Sequence, residues 1–142
     1  MADTNLIWND KMSVGIEQFD EHHKVIISMI AKLSSMVAQG VQNDSKNREL
    51  IGGYISELRS YVKYHFNAEE RIMQKNDYSE YEQHVKEHRY FAKRIIEYQS
   101  QYAEGKDEVV PKLLHYLKEW FVTHIMNIDK KYGAYLASKG IS

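Results

Sequence analysis

The stretch from Ile51 to Ile72, IGGYISELRSYVKYHFNAEERI, decides how the chain folds. Ile51, Ile55, Leu58, Val62, His65, Glu69 and Ile72 follow one another in alternating steps of four and three. That is the spacing of the helix face a bundle buries. His65 and Glu69 interrupt an otherwise apolar stripe, and their i, i+4 spacing projects both from one side of the helix. Polar groups on the driest face of a helix need a strong partner.

Three other segments carry the same pattern. Phe19, His23, Ile26, Ile30, Leu33 and Val37 form the first stripe. Tyr81, His84, His88, Phe91, Ile95, Tyr98 and Tyr102 form the third, and Val110, Leu114, Leu117, Phe121, His124 and Ile128 the fourth. Breakers separate them at Gly40 with Asn43, Asp44 and Ser45, at Asn76-Asp77 to Ser79, and at Gly105 to Pro111, and Lys139-Gly140 closes the last. Pro111 is the only proline in the chain, which suits a mostly helical protein. The expectation is all-α: an antiparallel up-down-up-down four-helix bundle with an N-terminal arm. It makes one domain over residues 1–142, with the arm at 1–17 and helices over roughly 18–39, 44–75, 79–103 and 109–137.

In such a bundle the start of helix one, the end of helix two, the start of helix three and the end of helix four share one end. His23, His65, Glu69, His84, His88 and His124 then fall in one layer, roughly 8 to 20 Å from that end at about 5.4 Å per turn. Each unsatisfied buried polar group costs on the order of 1 to 3 kcal/mol, and metal coordination is the usual remedy. One ion rarely takes more than six ligands, so five imidazoles with carboxylates suit two ions. A carboxylate near the end of helix four is therefore wanted. Asp129 is nearest, but it lies five residues past His124, about 140° around an ideal helix. Spacing alone leaves that carboxylate undecided.

Composition narrows the chemistry. The chain has 142 residues, 43% hydrophobic and 27% charged, in the range of a globular domain. Nineteen Lys and Arg nearly balance twenty Asp and Glu, which leaves no basic field to attract nucleic acid. There is no cysteine, so thiolate sites and disulfides are excluded. Imidazole and carboxylate remain, favouring iron, manganese or zinc. No apolar run approaches the roughly 20 residues of a membrane span. No secretory pattern is visible at the N-terminus, and the expected location is cytoplasmic.

At this point the sequence resembles the hemerythrin family, in its single-domain bacterial form. The likeness runs from Leu6-Ile7-Trp8-Asn9 and Ser13-Val14-Gly15-Ile16 in the arm to Tyr132. Asp20-Glu21-His22-His23-Lys24 resembles the family's D-x-x-H element, and His65-Phe66-Asn67-Ala68-Glu69-Glu70 its H-F-x-x-E-E. His84-Val85-Lys86-Glu87-His88 matches H-x-x-x-H, and Trp120 to Asp129 matches W-x-x-x-H-I-x-x-x-D. Each motif alone is weak, but the four in order are specific.

The resemblance implies two iron ions per chain. His84, His88 and His124 would fill one, while His23 and His65 would hold the other and leave a position open. Glu69, Asp129 and a solvent-derived oxo or hydroxo group would bridge them, so the resemblance settles Asp129. The function implied is reversible dioxygen binding for carriage, storage or delivery, not catalysis. Nitric oxide or small anions could also meet the open iron. An oxygen or nitric oxide sensor, or a di-iron peroxidase or nitric-oxide-handling enzyme, are the alternatives, and no residue identifies an oxygen-consuming partner enzyme.

Ile26, Ile27, Phe66, Trp120 and Phe121 are the expected oxygen-pocket residues from their positions beside the ligands. Phe121 stands where the family commonly has leucine, and His22 where it usually has glutamine. His22 and His115 are read as non-ligands, Glu70 as solvated, and Lys130-Lys131 as a charged helix end. A ferritin-like oxidase would need Glu-x-x-His on two helices, and no histidine here has a glutamate three residues before it. The zinc-hydrolase motif H-E-x-x-H is also absent.

Overall fold

The computed structural model describes residues 6–39 and 45–142. The first five residues of the expected arm, and Gly40, Asn43 and Asp44 of the first expected break, lie outside the described residues. So does residue 44, the expected start of the second helix.

Among the described residues, α1 spans Glu17–Ala38, α2 Ser45–Lys75, α3 Tyr81–Ala103 and α4 Val109–Thr123. The fourth rod continues through a π-helical segment, His124–Asp129, into α5, Lys130–Ser138. α1 packs against α2 and α4, and α3 packs against the same two, which closes the four rods into the antiparallel bundle that periodicity predicts. Phe19, Ile26, Ile30, Leu33, Ile51, Ile55, Leu113, Leu117 and Leu136 are among the buried side chains that interdigitate along its axis. No helix of the described residues is long and apolar enough to cross a membrane.

Three helices end alike. Asp77, Gly105 and Gly140 all have positive φ, at 53°, 91° and 81°. At each, the next residue's N–H reaches back to a carbonyl in the last turn: Tyr78 to Met73, Lys106 to Gln101 and Ile141 to Leu136. This 6→1 closure satisfies orphan carbonyls and favours glycine, with aspartate tolerated in the left-handed region. The Tyr135 hydroxyl donates to the Asn76 carbonyl at 2.7 Å, so the α2–α3 turn is tied to α5.

Two stripes drift from expectation. Met73 is fully buried where Ile72 was expected, and Ile72 is half-buried. On the fourth rod Ile125 is fully buried and Ile128 only half-buried. The cause there is the π-helical segment. Its i→i+5 bonding inserts one residue into the turn, so the buried face passes from His124 and Ile125 to Asp129 and then Tyr132.

The arm is bound to the same end of the bundle. A 3-10 turn, Asp10–Met12, is capped by the Asn9 side chain, which accepts from the Lys11 N–H at 2.9 Å. Met12, Val14 and Ile16 are buried. Asp20, in the first turn of α1, accepts from the Ser13 hydroxyl at 2.6 Å and from the Val14 N–H at 2.9 Å. Gly133 on α5 makes room for this crossing, because a Cβ there would lie 2.0 Å from the Val14 carbonyl oxygen.

Candidate metal centre

Seven polar side chains from the four rods meet inside the apolar core. His23 comes from α1, His65 and Glu69 from α2, and His84 and His88 from α3. His124 and Asp129 bound the π-helical segment. None is more than 3% exposed.

Their donor atoms form two groups that share two residues. Glu69, His84, His88, His124 and Asp129 make one, and His23, His65, Glu69 and Asp129 the other, with donors in each within 4.8 Å of one another. Each carboxylate directs one oxygen to each group. Glu69 Oε1 lies 3.2 Å from His88 Nε2, and Glu69 Oε2 lies 3.2 Å from His65 Nε2. Asp129 Oδ1 lies 2.9 Å from His124 Nε2 and 3.0 Å from His84 Nε2, and Oδ2 lies 3.2 Å from His23 Nε2.

These are short distances without hydrogen-bond direction. The Nε2 atoms of all five histidines, both oxygens of Glu69 and Oδ1 of Asp129 are buried with no hydrogen-bond partner. So many orphaned buried polar atoms in one place are not what a purely structural core tolerates. Two donors at right angles, each about 2.1 Å from a six-coordinate ion, stand about 3 Å apart. The observed separations match that spacing, and an N/O donor set of this kind fits iron. The residues present therefore fit a pair of metal ions.

Electrostatics agree with a site built for positive charge. Burial and the neighbouring Asp129 both oppose ionisation of Glu69, yet the surrounding imidazoles outweigh them and hold it well below the usual carboxylate range. Burial likewise opposes ionisation of Asp129, and His124, His23 and His84 hold it well below its ordinary value. Burial penalises the His88 cation, but Glu69 and Glu70 bring its pKa up to about 9. Burial disfavours the His23 cation too, and Asp129 more than compensates. His65 moves the other way, because burial dominates.

The outer contacts show what the sequence reading missed. Glu70, expected to be solvated, is only 24% exposed at its side chain, and its Oε2 lies 2.8 Å from His88 Nδ1. Its place beside Glu69 was the available signal: the residue next to an inward-facing one on a helix can reach round to a neighbouring helix. His22 is buried, with its Nδ1 2.8 Å from His65 Nδ1. Tyr132 is fully buried, and its ring meets His84 edge-on at 5.4 Å. Burial above all, with Glu69 and Asp129 close by, raises its pKa and keeps the phenol protonated. His115 is exposed and pairs with Glu119, remote from the centre.

The expected pocket residues divide. Phe121 is buried and sets its ring edge-on to His23 at 5.5 Å, against the four-donor group. Ile26 and Ile27 are buried in α1 close to His23. Phe66 instead stacks flat on His88 at 3.7 Å, and Trp120 stacks on His124 at 4.3 Å. Those two rings lie chiefly over the five-donor group, though Phe66 also meets His65 of the four-donor group at 6.1 Å.

A helical bundle holding paired His and carboxylate donors from all four rods defines a class of protein: the non-haem, dinuclear metal bundles. Residues 14–136 match the family described as the hemerythrin HHE cation binding domain. The chain is 34% identical to a bacteriohemerythrin of Methylococcus capsulatus, covering 84% of this chain and 86% of that protein. It is also 34% identical to a bacteriohemerythrin of Pseudomonas aeruginosa, covering 90% and 79%. A crystal structure of wild-type hemerythrin superposes with a TM-score of 0.82 at 30% identity, covering 92% of this chain and 97% of that one. The chain belongs to the hemerythrin family. It is accordingly an oxygen-binding protein of di-iron type.

Proposed function

We propose that the chain binds dioxygen reversibly at a di-iron centre, as a carrier, store or delivery protein. One observation carries this reading: the donors divide unequally, three imidazoles against two, around a shared pair of carboxylates. His84, His88 and His124, with Glu69 and Asp129, would hold one ion. His23 and His65, with the same two carboxylates, would hold the other with one imidazole fewer, which would leave room there for a diatomic ligand. A pair of irons held by these residues would supply the redox chemistry of reversible oxygen binding.

The protein's own part is geometric and protective. Glu69 and Asp129 span the two groups and fix their separation. Phe121, Ile26 and Ile27 exclude water beside His23, where charge separation and loss of a reactive oxygen species would otherwise be easy. Few carboxylates face the centre, which disfavours the strongly oxidising chemistry of carboxylate-rich di-iron oxidases.

Iron analysis with a visible spectrum tests this directly. Two irons per chain are expected, with a colourless reduced form that colours in air and bleaches when oxygen is removed. Irreversible colour change, or steady turnover of peroxide or nitric oxide, would replace the carrier reading with an enzymatic one.

A further inference from the structure

The five imidazoles are not held alike on their outer edges. The Nδ1 atoms of His23, His84 and His124 are buried without a protein hydrogen bond. His88 Nδ1 meets the Glu70 carboxylate, and His65 Nδ1 meets a second imidazole, that of His22, at 2.8 Å.

A short contact between two ring nitrogens holds one proton: one ring donates and the other accepts. The chemistry of the centre decides which. His65 Nε2 faces the carboxylates, 3.2 Å from Glu69 Oε2, and offers a lone pair only if the ring's proton sits on Nδ1. His65 therefore donates, His22 Nδ1 accepts, and the proton of His22 stays on its Nε2. His22 is well braced for this task. Its ring lies edge-on to Phe19 at 5.8 Å and to Tyr61 at 6.0 Å, and tilted against Tyr64 at 5.3 Å.

We propose that His22 is a positioning residue for the metal centre: it accepts the His65 Nδ1–H and locks that ring in the tautomer and orientation whose Nε2 serves as a ligand. The assignment rests on reading His65 as a ligand. A hydrogen bond of this kind orients a ligating imidazole and raises its basicity, and losing it typically costs about 10- to 100-fold in metal affinity. His22 does this as a neutral acceptor, whereas Glu70 brings a negative charge to His88. The two imidazoles are thus polarised unequally.

The test uses the full chain loaded with zinc(II), which is diamagnetic, with affinity read by competition against a chelator. His22→Leu is expected to lose about 10- to 100-fold in affinity for one of two ions. His22→Gln, whose amide oxygen also accepts, is expected to restore it. Long-range 1H–15N spectra of the zinc-loaded wild type are expected to show His65 protonated at Nδ1 and His22 at Nε2. Wild-type affinity in His22→Leu, or a His22 protonated at Nδ1 against a bare His65 Nδ1, overturns the proposal. If His22→Leu does not fold, the wild-type spectrum decides alone. Two-ion binding unchanged in His65→Ala overturns the ligand reading beneath it. A loss in His65→Ala without one in His22→Leu removes only the role of His22.

Discussion

Asp129 lies five residues beyond His124, yet its Oδ1 stands 2.9 Å from His124 Nε2. An α-helix would turn the two about 140° apart. The π-helical segment between them brings both to one face, and with them a carboxylate that touches both donor groups. Asp129→Asn keeps the shape but removes the charge both groups share. The variant is expected to retain the helical circular dichroism signal and bind fewer than two irons per chain. Asp107→Asn, which disrupts only the peripheral pairing with Arg48, serves as the control and should keep both. Full iron loading in Asp129→Asn would refute the shared-carboxylate reading.

Phe121 against His23 should govern access. Phe121→Leu removes ring volume beside the four-donor group, so azide binding and oxidation in air are both expected to accelerate. Stopped-flow mixing of the reduced and oxidised proteins measures this. Rates equal to wild type would place the entry route elsewhere.

How much of this was legible in the residues depended on whether a straight α-helix governs the position. Steps of three and four placed His23, His65, Glu69, His84, His88 and His124 in one layer, because the first five lie on regular helix and His124 opens the π-helical segment, ahead of its inserted residue. Asp129 was reached only through family resemblance, since an inserted residue breaks the periodicity that spacing arguments use. For the same reason Ile128 was expected on the seam where Ile125 lies. The contacts of Glu70, expected to be solvated, and of His22, expected only to be a non-ligand, were not legible because their partners, His88 and His65, stand on neighbouring helices. Helical spacing says nothing about which outer ring edges meet.

Two glycines give opposite expectations. Gly133→Ala drives a Cβ toward the Val14 carbonyl oxygen and should destabilise the protein by about 1–3 kcal/mol, as overpacking typically does. Gly53 sits in the exposed interior of α2 with nothing within 4 Å of its added Cβ. Gly53→Ala should stabilise by about 0.5–1 kcal/mol through helix propensity. Urea unfolding of the two variants side by side settles both signs.

Protonation should stand in for metal once iron is chelated away. Burial penalises the His88 cation, but Glu69 and Glu70 outweigh that penalty, and its pKa rises from 6.5 to about 9. A raised pKa means the folded chain binds this proton more tightly. The stabilisation is therefore complete below about pH 6.5 and lost as pH climbs through about 9. Thermal unfolding of the chelated protein should show that decline. Glu70→Gln should end it at lower pH, and the iron-loaded protein should lack it. A flat profile between these pH values in the chelated protein would contradict the assignment.

Glu69 belongs to α2 and Asp129 to the fourth rod, while the imidazoles around them come from all four. Ions seated between these residues act as rivets through the whole stack, so loading and consolidation of the fold are one event. The amount of intact protein in a cell would then follow the supply of iron even at constant synthesis, with unriveted chains left to proteases.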